Sequence, residues 1–338
     1  MFKPRYRTTP HLVSLLEEIA AQSAMIRQSP LKLPVRISLE KNAVNRSVHS
    51  STAIEGNVLS FKQVAALSDK SDVAADQKQK DEVKNCLNAL RWVIRNKKTN
   101  ISETKLLNLH RMMIKGLLTS ERSGRYRTAQ NYIVNAKNIV VFTPPAPQHV
   151  KGRMKELFAW IKSSGKEHAI ARSAIFHHEF VTIHPFIDGN GRVARAAGQW
   201  LLFERGFEPI MTLGLDEYFA KDRNRYYERI EQTRELDNDF TYWVEYVAEG
   251  ILDSVITVVG RIKEFTRGFK GQDIALTPKQ EELLNLLKES GTIGSSEICM
   301  VMKINRARVN QLLLPLVKAG LVIKEGQTRS ARYVLTTK

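Results

Sequence analysis

Only two cysteines, Cys86 and Cys299, occur in 338 residues. A disulfide framework is therefore excluded, and neither stands in a CxxC or Cys/His spacing that would hold zinc. So little cysteine fits a reducing cytoplasm. No run is long and apolar enough to cross a bilayer; the most hydrophobic helical stretch, around residues 251–259, is short and carries Asp253. The N-terminal Met1-Phe-Lys-Pro-Arg is not followed by an apolar core, so no signal peptide is expected. Internal repeats and low-complexity tracts are also lacking. Acidic residues are few beside basic ones, 35 against 52, for a net charge of +17. That balance favours polyanionic partners: nucleic acid, nucleotide phosphates or acidic surfaces. A composition of 43% hydrophobic and 26% charged residues excludes global disorder, and the length suits about two domains.

Apolar spacing predicts helices over about 11–27, 38–53, 80–96, 102–117, 148–163, 167–183, 192–205, 216–234 and 239–267, with a further amphipathic segment from Ser60. Two β-rich runs, 132–134 and 139–142, flank Asn135-Ala-Lys-Asn and read as a hairpin. Residues 268–276 form a polar linker. Beyond it, helices at about 278–289, 295–302 and 305–319 and strands at 321–324 and 331–336 follow the order of a winged helix-turn-helix. The expected fold is mainly α: a helical bundle with one β-hairpin flap, joined to a small winged-helix domain. The expected division is 1–100, 101–267, the linker 268–276, and 277–338.

Chemistry concentrates in His184-Pro-Phe-Ile-Asp188-Gly189-Asn190-Gly191-Arg192-Val-Ala-Arg195. The residue before a proline disfavours the α region, so a helix ends at about Ile183 and His184 stands at its end. Two glycines then lead into a helix from about Arg192. A glycine-rich loop entering a helix N-terminus binds anions through free N–H groups and the helix dipole. Asn190 adds a neutral donor, Arg192 a planar fork, and Arg195 a second guanidinium on the same helical face. Asp188 beside such a phosphate cradle points to Mg²⁺, which takes oxygen ligands. His184 has the pKa for proton transfer near neutrality.

The string HPFIDGNGRVAR resembles the Fic family signature without a departure, and the likeness extends over roughly residues 30–250. Gly124-Arg-Tyr-Arg and the following hairpin resemble the family's flap. The likeness implies a Fic helical bundle and protein adenylylation: AMP passes from ATP to a Ser, Thr or Tyr hydroxyl of a protein, and pyrophosphate leaves. It implies that His184 takes the hydroxyl proton and that Asp188 holds Mg²⁺ (or Mn²⁺) between the α- and β-phosphates. The loop Gly189-Asn190-Gly191-Arg192 would cradle the phosphates, with Arg195 on the γ-phosphate. Tyr226 and Tyr227 resemble the pair beside the adenine in many members. Some relatives carry asparagine where this chain has Arg234, so that contact is not transferred. Ile133, Val134, Val140 and Val141 of the hairpin would dock the target as an added strand.

Ser51-Thr-Ala-Ile-Glu55-Gly56 matches the family's inhibitory pattern. The match implies that Glu55 pairs with Arg195 in the space of the γ-phosphate, with self-AMPylation held back until the pair opens. Alternatives kept in view are a nucleotide-sensing transcriptional regulator, transfer of another phosphate-containing group, and removal of AMP. The string His177-His178-Glu179 lacks zinc-protease spacing, so both histidines are expected to pack. Trp92, Trp160, Trp200 and Trp243 are read as core. The basic run from Arg122 to Arg127 reads equally as a solvated face or as an approach to nucleotide. In the C-terminal module Asn305, Arg306, Arg308 and Asn310 open the expected recognition helix, with Arg329 and Arg332 on the wing. DNA contact and protein contact both remain open there, and homo-oligomerisation is left undecided.

Overall fold

A computed structural model describes residues 2–29, 33–134, 137–237, 239–268, 276–326 and 331–336. The chain is mainly α-helical. Its first part comprises α1 (Pro10–Gln28), α2 (Leu33–Ile54), α3 (Phe61–Ser68), α4 (Gln77–Arg95) and α5 (Glu103–Met113). A two-stranded hairpin follows, β1 (Ile133–Val134) and β2 (Val140–Phe142). Next come α6 (Pro147–Ser163), α7 (Ala169–Ile183), α8 (Asn190–Glu204), α9 (Pro209–Thr212), α10 (Leu215–Lys221), α11 (Arg223–Glu235) and α12 (Thr241–Gly268).

The core is built around α7 and α8, which pack on each other. Every residue of α7 from Ile170 to Ile183 is buried, so the helix that ends at His184 is held from all sides. Helix α1 lies along α12, and α2 packs against α4 and α10. Trp200 and Trp243 are fully buried as expected, whereas Trp92 and Trp160 only cover the core in part. The single helix expected over 216–234 is two helices. Asp222 leaves the helical region, with φ −136°, and its carboxylate accepts the backbone N–H of Arg225 at 2.9 Å, capping a new helix.

The C-terminal module comprises α13 (Pro278–Ser290), β3 (Ile293–Gly294), α14 (Ser295–Met302), α15 (Arg306–Lys318), β4 (Val322–Glu325) and β5 (Arg332–Leu335), with antiparallel strands in the order β3-β5-β4. The sequence reading did not anticipate β3. Residues 269–275 of the expected linker, Asn135 and Ala136 of the hairpin turn, and Arg329 lie outside the described residues.

The module's core is completed from outside. Ile37 of α2, 2% exposed, sits among Leu283, Leu287, Leu316 and Leu335. Around it Glu40 of α2 pairs with Lys288, the Ser38 hydroxyl donates to Thr336 O at 3.1 Å, and the Thr292 hydroxyl donates to Asp69 O. Removing the Ile37 side chain beyond Cβ should leave a cavity that costs about 2–5 kcal/mol. We therefore expect Ile37→Ala to accelerate amide exchange in α13 and α15. Unchanged exchange there would mean that the module does not depend on α2.

Candidate active site

Helix α7 stops at His184, whose backbone enters the left-handed region with φ 50°. A non-glycine residue rarely rests there without support. Arg127 supplies it: its Nε donates to His184 O at 2.8 Å, its backbone N–H donates to Pro185 O at 2.8 Å, and its other nitrogens reach Ala129 O and Pro145 O. The basic run therefore divides. Arg127 is buried and braces the loop, while Arg122 and Arg125 are exposed.

The His184 imidazole lies with Nδ1 3.3 Å from Val181 O. A carbonyl only accepts, so the proton resides on Nδ1 and Nε2 keeps its lone pair. Burial lowers the pKa to about 4, against the opposing pull of the Val181 carbonyl and of Glu55. The group is neutral above that value and cationic below it.

After His184 the loop is fastened to the core. Phe186, fully buried, stacks on His110 with ring centroids 3.7 Å apart. His110 accepts the Gly124 N–H on Nδ1 at 2.9 Å and donates from Nε2 to Asp188 O at 3.1 Å. The Asn190 amide accepts the Phe186 N–H at 2.9 Å and donates to Phe186 O at 2.8 Å. The Asn190 side chain, expected as a donor to phosphate, thus shapes the loop through its oxygen and one N–H of its amide. Gly189, with φ 79°, then turns the chain into α8, whose first N–H groups have no partner within the helix.

An anion already occupies that helix end. A Cβ at Gly191 would overlap Glu55 Oε1, so position 191 has room for the carboxylate only as glycine. Arg195, 3% exposed, donates from Nη2 to Glu55 Oε1 at 2.7 Å and to Ser51 O at 2.8 Å, and from Nε to the Ser51 hydroxyl at 2.8 Å. Burial opposes the charge on Glu55, but Arg195, joined by Arg192 and Arg223, holds its carboxyl below the usual range. About a third of the Glu55 side chain, 32%, is open to solvent. On the other side of Arg195 stands Asp216, at 4.0 Å and buried, which accepts the Ser47 hydroxyl. Desolvation raises Asp216 to about 6 despite Arg195 and Ser47.

Arg192 is 3% exposed, and its Nε and Nη1 are buried without a hydrogen-bond partner. Only Nη2 approaches a carboxylate, Asp188 Oδ2 at 3.5 Å. Buried donors left unpaired are costly, and a phosphate oxygen would satisfy them. The Asp188 side chain is 53% exposed, so its oxygens can reach a cation. Among the described residues no cluster of three His, Cys, Asp or Glu is placed to hold a metal. A lone carboxylate fits Mg²⁺, which keeps water and substrate oxygens as its other ligands.

The tyrosine pair separates. Tyr226 is 1% exposed, packed among His177, Phe219 and Trp243, with its hydroxyl 2.9 Å from His177 Nε2. Its ring has no open face for a base, which corrects the expected adenine contact. Tyr227 is 43% exposed beside Arg223. His177 and His178 are buried packing residues, the latter with Nε2 2.9 Å from Ile230 O. On the hairpin, Ile133 faces Phe142 and Val134 faces Val140; Val134, Val140 and Val141 are exposed and Ile133 half-buried.

In the C-terminal module Asn305 is the cap of α15, its amide oxygen accepting the Arg308 N–H at 2.8 Å while the residue stays exposed. Arg332 lies 3.5 Å from Glu297. Arg306, Arg308 and Asn310 are exposed. Sequence reasoning missed Ser47, His110, Asp216 and the bracing role of Arg127. Ser47, His110 and Asp216 belong to no local pattern; Arg127 lies in the Gly124-Arg-Tyr-Arg string, but its contacts with residues 184 and 185 are tertiary.

The His184 geometry predicts its titration. In the resting chain the imidazole resonance should stay at its neutral position from pH 8 down to 5 and move only near 4. An inflection near 6.5 in the proton NMR titration would contradict a half-buried, neutral His184.

Comparison with known proteins places this loop. Residues 100–202 match the Fic/DOC family model. The chain is 29% identical over 257 residues to protein adenylyltransferase fic-1 of Caenorhabditis elegans, covering 73% of this chain and 48% of that protein. It is 26% identical over 264 residues to protein adenylyltransferase Fic of Nematostella vectensis, covering 75% and 59%. The chain thus spans about half the length of the curated relatives it matches. A Fic family protein from Desulfovibrio desulfuricans G20 shares the fold along the whole chain, with TM-score 0.65, 24% identity, and coverage of 100% of this chain and 99% of that one. The solved segment of C. elegans Fic-1 aligns with TM-score 0.61 and 25% identity over 75% of this chain and 73% of its own. The likeness to the Fic/DOC family thus falls on residues 100–202, the stretch that holds His184, Asp188, Arg192 and Arg195.

Proposed function

We propose that the protein is a self-inhibited protein adenylyltransferase, moving AMP from ATP to a Ser, Thr or Tyr hydroxyl of a protein, itself among the acceptors. The observation that carries this reading is the Glu55 carboxylate seated on Gly191 and Arg195, at the head of a cradle whose Arg192 keeps buried unpaired donors. In the reaction the acceptor oxygen bonds to the α-phosphorus as the bond to the β-phosphate oxygen breaks, and pyrophosphate leaves. The lone pair on His184 Nε2 takes the hydroxyl proton. The N–H groups at the head of α8 and the Arg192 fork hold the charge on the transferring phosphoryl group. Arg195 would hold the γ-phosphate once Glu55 withdraws. Mg²⁺, or Mn²⁺ in its place, would neutralise phosphate charge when bound, with Asp188 as its carboxylate ligand. The exposed strands of the hairpin offer an edge to the acceptor segment, which would join as an added strand.

The names of the curated relatives support AMP transfer in particular. With α-labelled ATP, Glu55→Gly should raise self-labelling by about tenfold or more, the equivalent of at least ~1.4 kcal/mol of released inhibition. Adding His184→Ala should abolish it, and γ-labelled ATP should leave the protein unlabelled. Equal labelling of wild type and Glu55→Gly, both folded, would refute the inhibitory role; label from γ-labelled ATP would indicate phosphorylation.

For the C-terminal module the exposed Arg306, Arg308 and Asn310 at the head of α15 support contact with duplex DNA. Such binding would weaken steeply with salt. No mobility shift of non-specific duplex at low salt would favour protein contact instead.

A further inference from the structure

Arg234 lies in the last turn of α11. Its side chain is 13% exposed and joins three elements. From α11, the guanidinium carbon lies 3.5 Å from the ring centroid of Phe142 on β2. Nε donates to the Thr182 hydroxyl at 3.2 Å, in the last turn of α7 and two residues before His184. Nη1 pairs with Glu231 at 2.8 Å, which holds the fork in plane from its own helix. Phe142 in turn sits opposite Ile133 across the hairpin.

We propose that Arg234 is a positioning residue that sets the flap strand at a fixed height over the proton acceptor. The hairpin is small, with strands of two and three residues and an irregularity in register between Ile133 and Val134. An isolated two-stranded hairpin is marginal in water, so its placement must come from contacts with the bundle. Arg234 provides one that ends on the same turn of helix as His184. Only a planar cation does this: its face covers an aromatic ring while its edge donates to a hydroxyl and a carboxylate. A lysine retains the charge and loses the stacking and the second donor direction. An acceptor segment added to the flap would then arrive at a distance from His184 fixed by a single side chain, and small misplacements of reacting groups are expensive in rate.

The inference rests on the flap and His184 serving the transfer reaction proposed above, so one of its two readouts needs no transfer. In the full chain, amide exchange at 132–134 and 139–142 should speed up in Arg234→Ala, in Arg234→Lys and in Phe142→Leu, and should stay at the wild-type rate in Phe142→Tyr, which keeps the ring. In the Glu55→Gly background, Arg234→Ala should lower the self-labelling rate at saturating ATP by about tenfold, with the KM for ATP within about twofold of its parent. Phe142→Leu should do the same, and the double variant should be no worse than either single one. Phe142→Leu decides the matter if Arg234→Ala fails to fold, because the hairpin lies outside the core. Unchanged flap exchange would overturn the proposal. So would a rise in the KM for ATP matching the fall in rate, which would put Arg234 on the nucleotide. If Glu55→Gly shows no transfer at all, the function reading fails, while the exchange result still decides whether Arg234 holds the flap.

Discussion

Arg195 cannot be left alone. It is 3% exposed, cannot shed its proton, and stands one turn into the helix whose N-terminus forms the anion cradle. A buried guanidinium without an anion would cost several kcal/mol. The fold supplies Glu55 at 2.7 Å, two oxygens of Ser51 and, at 4.0 Å, Asp216. Each of these contacts places α2 or α10 against α8. The same anion requirement that a phosphate would meet during the reaction thus holds the resting structure together. Glu55 is also the most solvent-accessible of these partners, with Asp216 and Ser51 both buried. Its release therefore requires the smallest rearrangement, and the remaining partners keep Arg195 in place for an incoming anion.

Helix α2 is anchored at both ends. Its C-terminal end delivers Ser51, with Glu55 just beyond. Near its N-terminal end Ile37 completes the core of the C-terminal module, flanked by Ser38 and Glu40. Between them Ser47 ties the helix to Asp216. A helix of 22 residues, about 33 Å long at 1.5 Å per residue, thus reaches from the C-terminal module's core to Arg195. The proposed proton acceptor is prepared differently. His184 is kept neutral chiefly by burial, against the pull of Glu55, and kept in its left-handed conformation by Arg127, so its readiness rests on packing first.

Much of this was legible in the sequence, because Pro, Gly and charge stand close together in residues 184–195. Helix stop, glycine turn and helix start were read from local rules, and so was the anion cradle. The pairing of Glu55 with Arg195 became legible only through the family resemblance, since 140 positions separate the two. What stayed hidden depends on tertiary placement. Asn190 has the donor expected of a phosphate ligand, yet its amide staples the loop. Tyr226 has an adenine-stacking ring, but the rings of Phe219 and Trp243 enclose it. Asp216 and His110 carry no pattern around them. The break at Asp222 was missed because an Asp cap inside a polar run looks like any exposed acid. Ile37 fell just before the helix expected over 38–53, and only the folded chain gives it to a different core. The charge of +17 also divides: Arg192 and Arg195 stand at the head of α8, Arg127 braces the loop and Arg234 lies on Phe142 of the hairpin.

The central claim is that the Glu55 carboxylate sits where the terminal phosphate of the substrate belongs. Calorimetric titration of wild type and Glu55→Gly with ADP and with a non-hydrolysable ATP analogue tests this most directly. The account predicts that Glu55→Gly tightens the ATP analogue by about tenfold or more, equivalent to ~1.4 kcal/mol, and leaves ADP affinity unchanged. An equal gain for both nucleotides, or none for either, would contradict it.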